Sequence, residues 1–195
     1  METLSEEYRD VLKATHKMGG EKGWGRTGSV KFYPQIQKLI GKFNVTEMLD
    51  YGAGAGNLKK RLLADFPDLI VHEFEPARDD VCAPAAPCKF VVCNDVFEHV
   101  EPEFLDAFFD DLERVVEDRA YFTVCMTPAI KKLSDGRNAH LIVKPFRWWI
   151  AKVAERFDIR EALHINRFEP QAEFLVQKRA PLPEYHKDEC VQSTE

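Results

Sequence analysis

The hydrophobic rhythm of the chain changes near residue 45. Before it, apolar positions recur at helical spacing: Tyr8, Val11 and Leu12 within residues 6–17, and Phe32, Tyr33, Ile36, Leu39 and Ile40 within residues 30–43. Intervals of three and four place these side chains on one helix face. Pro34 fits only if the second helix starts beside it, since a proline ring is tolerated in the first turn alone, and Gly41 reads as its end signal. Between the two helices, "KMGGEKGWGRTG" reads as a flexible flap, with Trp24 placed to close over a ligand.

From residue 45 the pattern alternates. Short apolar runs at residues 45–51, 69–75 and 90–94 predict strands, as does "RAYFTVCM". A helix is predicted over 57–65, with Leu58, Leu62 and Leu63 on one face, and a second over 102–117. The latter turns Phe104, Leu105, Phe108, Phe109, Leu112, Val115 and Val116 toward a core. Residues 76–87 form a Pro/Ala/Cys-rich connection, and "TPAIKKLSDGRNAHLIVK" a long polar loop. An aromatic-rich helix over 145–157 is followed by "DIREALHIN" and "AEFLVQK", which read as a closing antiparallel pair. Strand and helix alternating in units of about 20–30 residues predict an α/β sandwich with a mostly parallel sheet and helices on both faces. Residues 1–44 are then N-terminal helices and flap, 45–178 the core, and 179–195 a mobile tail, all within one domain.

Composition narrows the function. At 195 residues, 45% hydrophobic and 31% charged, the chain can bury a substantial core. Its 27 basic and 33 acidic residues leave a net charge of -6, which opposes general affinity for a polyanion, so duplex nucleic acid is not the expected partner. The five cysteines show no metal-ligand spacing and fit reduced thiols in a cytoplasmic protein. The N-terminus lacks a basic stretch followed by an apolar one, and no apolar run reaches about 18 residues, so neither export nor membrane spanning is expected.

The chemistry centres on "MLDYGAGAGN", where a strand ends in Gly52-Ala53-Gly54-Ala55-Gly56 and runs into a helix, with Asp50 just ahead. Such a turn sets backbone amides and a positive helix end at the sheet edge, open to a ligand. The dinucleotide fingerprint would need the third glycine one residue later. The motif resembles that of class I methyltransferases, which use S-adenosylmethionine. That family's Rossmann-like three-layer sandwich agrees with the alternation above. The resemblance implies that Asp50, Gly52, Ala53, Gly54 and Gly56 bind the cofactor, and that an acidic residue closing the next strand holds the ribose hydroxyls. Glu75 fits that place, and Glu73 becomes the candidate if the register shifts. "FVVCND" followed by "VFEHVEP" is similar to the fourth-strand motif of the group called type 11. This likeness sets Asn94 and Asp95 beside the methionine part of the cofactor and turns Asp95 and His99 toward the methyl-transfer cleft. The "GWG" segment and "PAIKKLSDGRNAHLIVKPFRWW" resemble a group of uncharacterised bacterial and bacteriophage methyltransferases. The chain departs from the broader family after Glu75: Asp79 and Asp80 are there to contact adenine, but no strand pattern supports them.

On the acceptor side, His140 and His99 are candidate bases because imidazole titrates near neutrality, against the plainer role of bonding a backbone carbonyl. Arg137 and Asn138 are candidate acceptor contacts, the former for a carboxylate or phosphate, against a solvated Asp-Gly turn. Trp148 is a candidate stacking platform and otherwise a core residue. Asp95, Glu98, His99 and His140 have no recognised metal-ligand spacing, and no metal is expected. The boxes that mark amino-group methylation of DNA bases and carbon methylation of cytosine are absent from the sequence. The resulting expectation is S-adenosylmethionine-dependent methyl transfer to an oxygen or nitrogen of a small molecule or nucleotide. A catalytically silent cofactor-binding module is the alternative, and a nicotinamide-dependent oxidoreductase stands behind it.

Overall fold

The computed structural model describes residues 2–18, 31–166 and 169–180. The glycine-rich flap with Trp24, and the tail from 181, lie outside the described residues. Helix α1 (Glu6–Met18) starts at Ser5, whose Oγ accepts the Tyr8 N–H at 3.0 Å, and it carries Glu6 and Glu7 in its first turn and His16 and Lys17 in its last. Both ends thus complement the helix dipole. Helix α2 (Tyr33–Phe43) has Pro34 in its first turn, as the sequence requires. Gly41 does not end it. The helix runs on to Asn44, whose backbone takes the left-handed conformation at φ 51° and closes the last turn, a role asparagine fills at modest cost.

The core consists of β1 (Glu47–Tyr51), α3 (Asn57–Asp65), β2 (Ile70–Phe74), β3 (Cys88–Asn94), α4 (Leu105–Val115), β4 (Val116–Cys125), α5 (Phe146–Ala154), β5 (Phe157–Ile165) and β6 (Gln171–Lys178). The six strands lie in the order β2-β1-β3-β4-β6-β5. Pairs β1/β2, β1/β3 and β3/β4 are parallel, and β4/β6 and β5/β6 antiparallel. This is the mostly parallel sheet with an antiparallel C-terminal hairpin that the alternation predicts. Residues 76–87 form no strand, so β2 is an edge.

Strand alternation divides the core into two layers. Leu49, Tyr51, Val91, Cys93, Phe122 and Val124 face α4 and α5, while Met48, Val92, Tyr121 and Leu175 face α2 and α3. A third cluster packs Leu4 and Tyr8, at and within α1, against Leu133 and Ala139 of the long loop. The helix predicted over 102–117 is shorter than expected. Single 3-10 turns occupy Phe97–His99 and Pro102–Phe104, and α4 stops at Val115. Val116 already pairs with Cys88 in the sheet. Two successive β-branched residues favour that extended pairing over another helical turn. No helix among the described residues is long and apolar enough to cross a membrane.

Phe97 is the centre of the α4/α5 layer. It has no exposed surface, and its ring lies 5.4 Å from Phe108, 5.0 Å from Phe109, 5.2 Å from Phe122 and 5.9 Å from Trp149, centroid to centroid. Tilted and edge-on contacts of this kind add to the burial of the ring. Phe97→Ala is expected to lower the unfolding free energy by about 3–5 kcal/mol, measured by urea denaturation. Phe104→Ala, at a partly buried position, should cost much less.

Candidate functional site

The glycine turn is shaped by backbone conformation and close approach. Gly52, Gly54 and Gly56 all have positive φ, at 83°, 51° and 72°. A Cβ on Gly52 would stand 2.4 Å from Val96 Cγ2, and one on Gly56 would stand 2.7 Å from Glu73 Oε1. Hence the turn sits directly against the segment that leaves β3. Its amides are largely engaged: Gly52 and Ala53 donate to Phe74 O at 2.8 and 3.0 Å, Gly54 donates to Glu75 Oε2 at 2.9 Å, and Gly56 donates to Ala53 O at 2.9 Å. A dinucleotide pyrophosphate needs such amides for itself, so the turn is poorly equipped for one.

Three acidic groups stand around this turn. Glu75, buried just past β2, accepts the Gly54 N–H through one oxygen and the Ala77 N–H at 3.1 Å through the other. Glu73 is held instead by Arg78 at 3.1 Å and Lys59 at 3.5 Å and does not line the cavity, so Glu75 is the residue presented there. Asp50 is 4% exposed, and burial, together with the nearby Glu73 and Glu75 carboxylates, pushes its pKa up to about 7.

The turn opens on a cavity of about 360 Å³, within the range of roughly 300–1,000 Å³ usual for small-molecule sites. Asp50, Gly52, Ala53, Gly54, Glu75, Asn94, Asp95, His99 and His140 all line it. Leu12 of α1 covers one side, and Ala129, Ile130 and Lys131 of the long loop form another. Asn94 Oδ1, buried, has no hydrogen-bond partner among the described residues. Asp95 takes φ 51° just beyond β3. Its N–H reaches Thr123 O at 3.0 Å, and the Thr123 hydroxyl donates to its Oδ1 at 2.9 Å. Lys31 stands 3.7 Å from Asp95 and 3.6 Å from Glu169. Lys31, Glu169 and Cys125 line the cavity without any sequence motif to mark them. Only their long-range packing brings them there.

On the same cavity wall, His99 and His140 meet edge to face with ring centroids 4.8 Å apart. His99 Nδ1 bonds Ala139 O at 2.7 Å and His140 Nδ1 bonds Thr127 O at 2.5 Å. A carbonyl oxygen only accepts, so in both rings Nδ1 carries the hydrogen and Nε2 the lone pair. Burial first, then the neighbouring His140, pushes His99 down to about 3. Behind the pair lies Glu98, fully buried, with Oε1 accepting the Cys125 N–H at 2.8 Å. Burial and then the Asp95 charge raise its pKa well above the usual carboxylate range. One ligand-capable atom from each of Glu98, His99 and His140 lies within 4.8 Å of the others. These three residues have no recognised ligand spacing in the sequence, and the fold brings them together because His140 arrives on a different loop.

Three acceptor candidates occupy other places. Arg137 is paired with Asp135 at 2.7 Å and lies over the Tyr8 ring, off the cavity wall. Asn138 braces the loop, its Oδ1 accepting the Ala129 and His140 N–H groups at 3.0 and 2.9 Å and its Nδ2 donating to Ala129 O at 2.9 Å. Trp148 packs edge-on against buried Trp149 and does not line the cavity. Asp79 and Asp80 pair with Lys13 and Arg78, each at 2.6 Å, and are likewise off the wall.

No protein-family model matches the chain, and no curated protein matches it in sequence. Solved structures do match in fold. A 1,6-didemethyltoxoflavin-N1-methyltransferase from Burkholderia thailandensis, with bound 1,6-didemethyltoxoflavin and S-adenosylhomocysteine, aligns at TM-score 0.64 and 15% identity over 89% of this chain and 90% of its own. The DhpI–S-adenosylhomocysteine complex aligns at TM-score 0.61 and 12% identity, over 91% and 100%. Magnesium protoporphyrin IX methyltransferase from Synechocystis PCC 6803, with bound S-adenosylmethionine, aligns at 0.55 and 13%, over 92% and 100%. The chain has the Rossmann-like fold of class I methyltransferases.

Asp50 gives the site a pH signature. The folded chain keeps its proton up to about pH 7, whereas an unfolded aspartate releases it near 3.8. The stability linked to this group is thus present below about pH 4 and is lost as pH rises through 7. Urea unfolding of Asp50→Asn should show a gain over wild type that grows across that window to at most a few kcal/mol, each pKa unit being worth about 1.4 kcal/mol.

Proposed function

We propose that the cavity binds S-adenosylmethionine and that the protein transfers its methyl group to an oxygen or nitrogen of a small acceptor. The observation that carries this reading is one cavity whose wall includes Glu75, Asp50 and Asn94 together with the His99–His140 pair. Each Glu75 oxygen takes a single backbone N–H, leaving lone pairs for two ribose hydroxyls. The unpartnered Asn94 Oδ1 suits an ammonium donor, and so does Asp50, whose ionised form a neighbouring cation favours over the protonated one that burial favours. The engaged amides of the glycine turn favour a ligand without phosphates at this position.

When bound, S-adenosylmethionine supplies a methyl group on a positively charged sulfur. The residues around the acceptor align it, exclude water and handle its proton. His99, held neutral, orients the acceptor, and His140 takes the proton through Nε2 when the acceptor has one to lose. The similar fold of an enzyme crystallised with 1,6-didemethyltoxoflavin supports a small-molecule acceptor. A phosphate-bearing acceptor has less support, because Arg137 is held by Asp135.

Calorimetric titration tests the reading. Micromolar affinity for S-adenosylhomocysteine with none for NAD is expected, and the reverse overturns it. Glu75→Ala should weaken that binding by about 100-fold or more, since charge-assisted hydrogen bonds are worth roughly 1.5–3 kcal/mol each. His140→Ala should leave it within about threefold, a change below roughly 0.7 kcal/mol.

A further inference from the structure

We propose that Glu98, His99 and His140 form a binding site for a first-row divalent transition metal, of the zinc type, at the wall of the cavity. Its role in the reaction rests on the methyl-transfer reading above, whereas its existence does not.

The three side chains already converge, with a ligand-capable atom of each within 4.8 Å of the others. Metal–ligand bonds of roughly 2.0–2.2 Å would set such atoms about 3–3.5 Å apart, so an ion has to draw them together by little more than an ångström. Both imidazoles give Nδ1–H to a main-chain carbonyl, of Ala139 and of Thr127. That is the outer-shell arrangement that fixes the ring and puts the ligating lone pair on Nε2. Asn138 strengthens it by tying the His140 N–H to Ala129, and the Glu98 carbonyl accepts the Ile142 N–H at 3.0 Å, which joins the two loops.

The independent pointer is the carboxylate. Glu98 has no exposed surface, and its Oε2 has no hydrogen-bond partner among the described residues. A buried acidic oxygen left unpartnered is costly, and a cation beside it would remove that cost. The donor set selects the metal: two imidazole nitrogens with one carboxylate suit zinc, iron, manganese or cobalt, whereas magnesium and calcium prefer oxygen alone. His99 and His140 line the cavity while Glu98 stands behind them, so the remaining coordination positions face the acceptor.

A metal there would act as a Lewis acid. An acceptor hydroxyl bound to it releases its proton to solvent. The resulting oxyanion forms an oxygen–carbon bond to the methyl group as the carbon–sulfur bond breaks, and the bonding pair stays on sulfur and cancels its positive charge. The lone pair of His140 then ligates the metal, and the metal replaces the imidazole as the means of deprotonation.

The test uses the full chain, stripped of metal with a chelator and titrated with Co²⁺ as a visible probe and with Zn²⁺ by equilibrium dialysis. We expect one ion per chain, the d–d absorption of an imidazole-containing low-coordinate cobalt site, and affinity reduced by more than about tenfold in Glu98→Gln and His140→Ala. Glutamine still accepts the Cys125 N–H, so the first variant is the milder perturbation. Absence of binding at about 100 μM metal, or equal binding by both variants, overturns the proposal. If the variants fail to fold, the wild-type cobalt spectrum decides, because the spectrum of the aquated ion alone also overturns it. Titration with S-adenosylhomocysteine separates the two readings. Retained binding in a chain with no metal affinity removes only the metal site, and metal binding without S-adenosylhomocysteine affinity removes only the methyl-transfer reading.

Discussion

The burial of Phe97 among four aromatic rings is the constraint on which the cleft depends. The residue is the first of a single 3-10 turn that also contains Glu98 and His99. Seating the ring fixes the direction in which its two neighbours leave the backbone. From there order spreads outward: Glu98 accepts main-chain N–H groups of Cys125 and Ile142, and His99 reaches Ala139. The carbonyl of His99 accepts the Tyr8 hydroxyl of α1 at 2.7 Å. The chemistry therefore stands on packing, because a polar group displaced by an ångström loses its geometry while the rings that hold it cannot shift cheaply.

The electrostatics of the cleft follow from the same enclosure. Asp50, Asp95 and Glu98 all have pKa values raised by burial, and Glu75 is buried beside them. Lys31 stands against Asp95 and Glu169 at the rim. Acidic groups removed from water and short of counter-charge favour a cationic occupant. Both ligands inferred for this cavity are cationic, one through its sulfonium and ammonium and the other as a metal ion. Each answers a different part of the same imbalance, Asp50 and Asn94 for the first and Glu98 for the second.

Local signals carried the fold well. The periodicity of 102–117 set Phe104, Leu105, Phe108, Phe109, Leu112, Val115 and Val116 toward the core, and all but Phe104, which is partly buried, are buried. The glycine spacing and the acid after β2 likewise put Asp50, Gly52, Gly54 and Glu75 on one cavity wall. What local signals lacked was knowledge of partners. Gly41 looked like a stop, but the helix closes at Asn44, where cap backbone N–H groups bond the carbonyls of Gly41 and Ile40. Arg137 looked free to bind an acceptor, yet Asp135, two residues away, holds it. The Glu98–His99–His140 grouping joins residues on two separate loops, and Lys31 meets Glu169 across most of the chain. Contacts of that range are set by topology, which spacing in the sequence does not express.

The junction between α4 and β4 has a further consequence. Helix ends at Val115 and strand begins at Val116 with no residue between them, and the pairing with β3 shifts register once, between Cys88–Val116 and Phe90–Arg119, so the parity of the later β4 side chains is set within this short stretch. Phe122 faces the α4/α5 layer and Tyr121 the α2/α3 layer, with Thr123 on the Tyr121 side where it holds Asp95. Since successive strand residues point to opposite faces, one inserted or deleted residue here would exchange the two sets. Phe97 would lose a ring, and Asp95 its hydroxyl. Length at this junction is therefore as tightly specified as residue identity, and natural variation in the chain should fall in the connections that carry slack, such as 76–87, and spare this one.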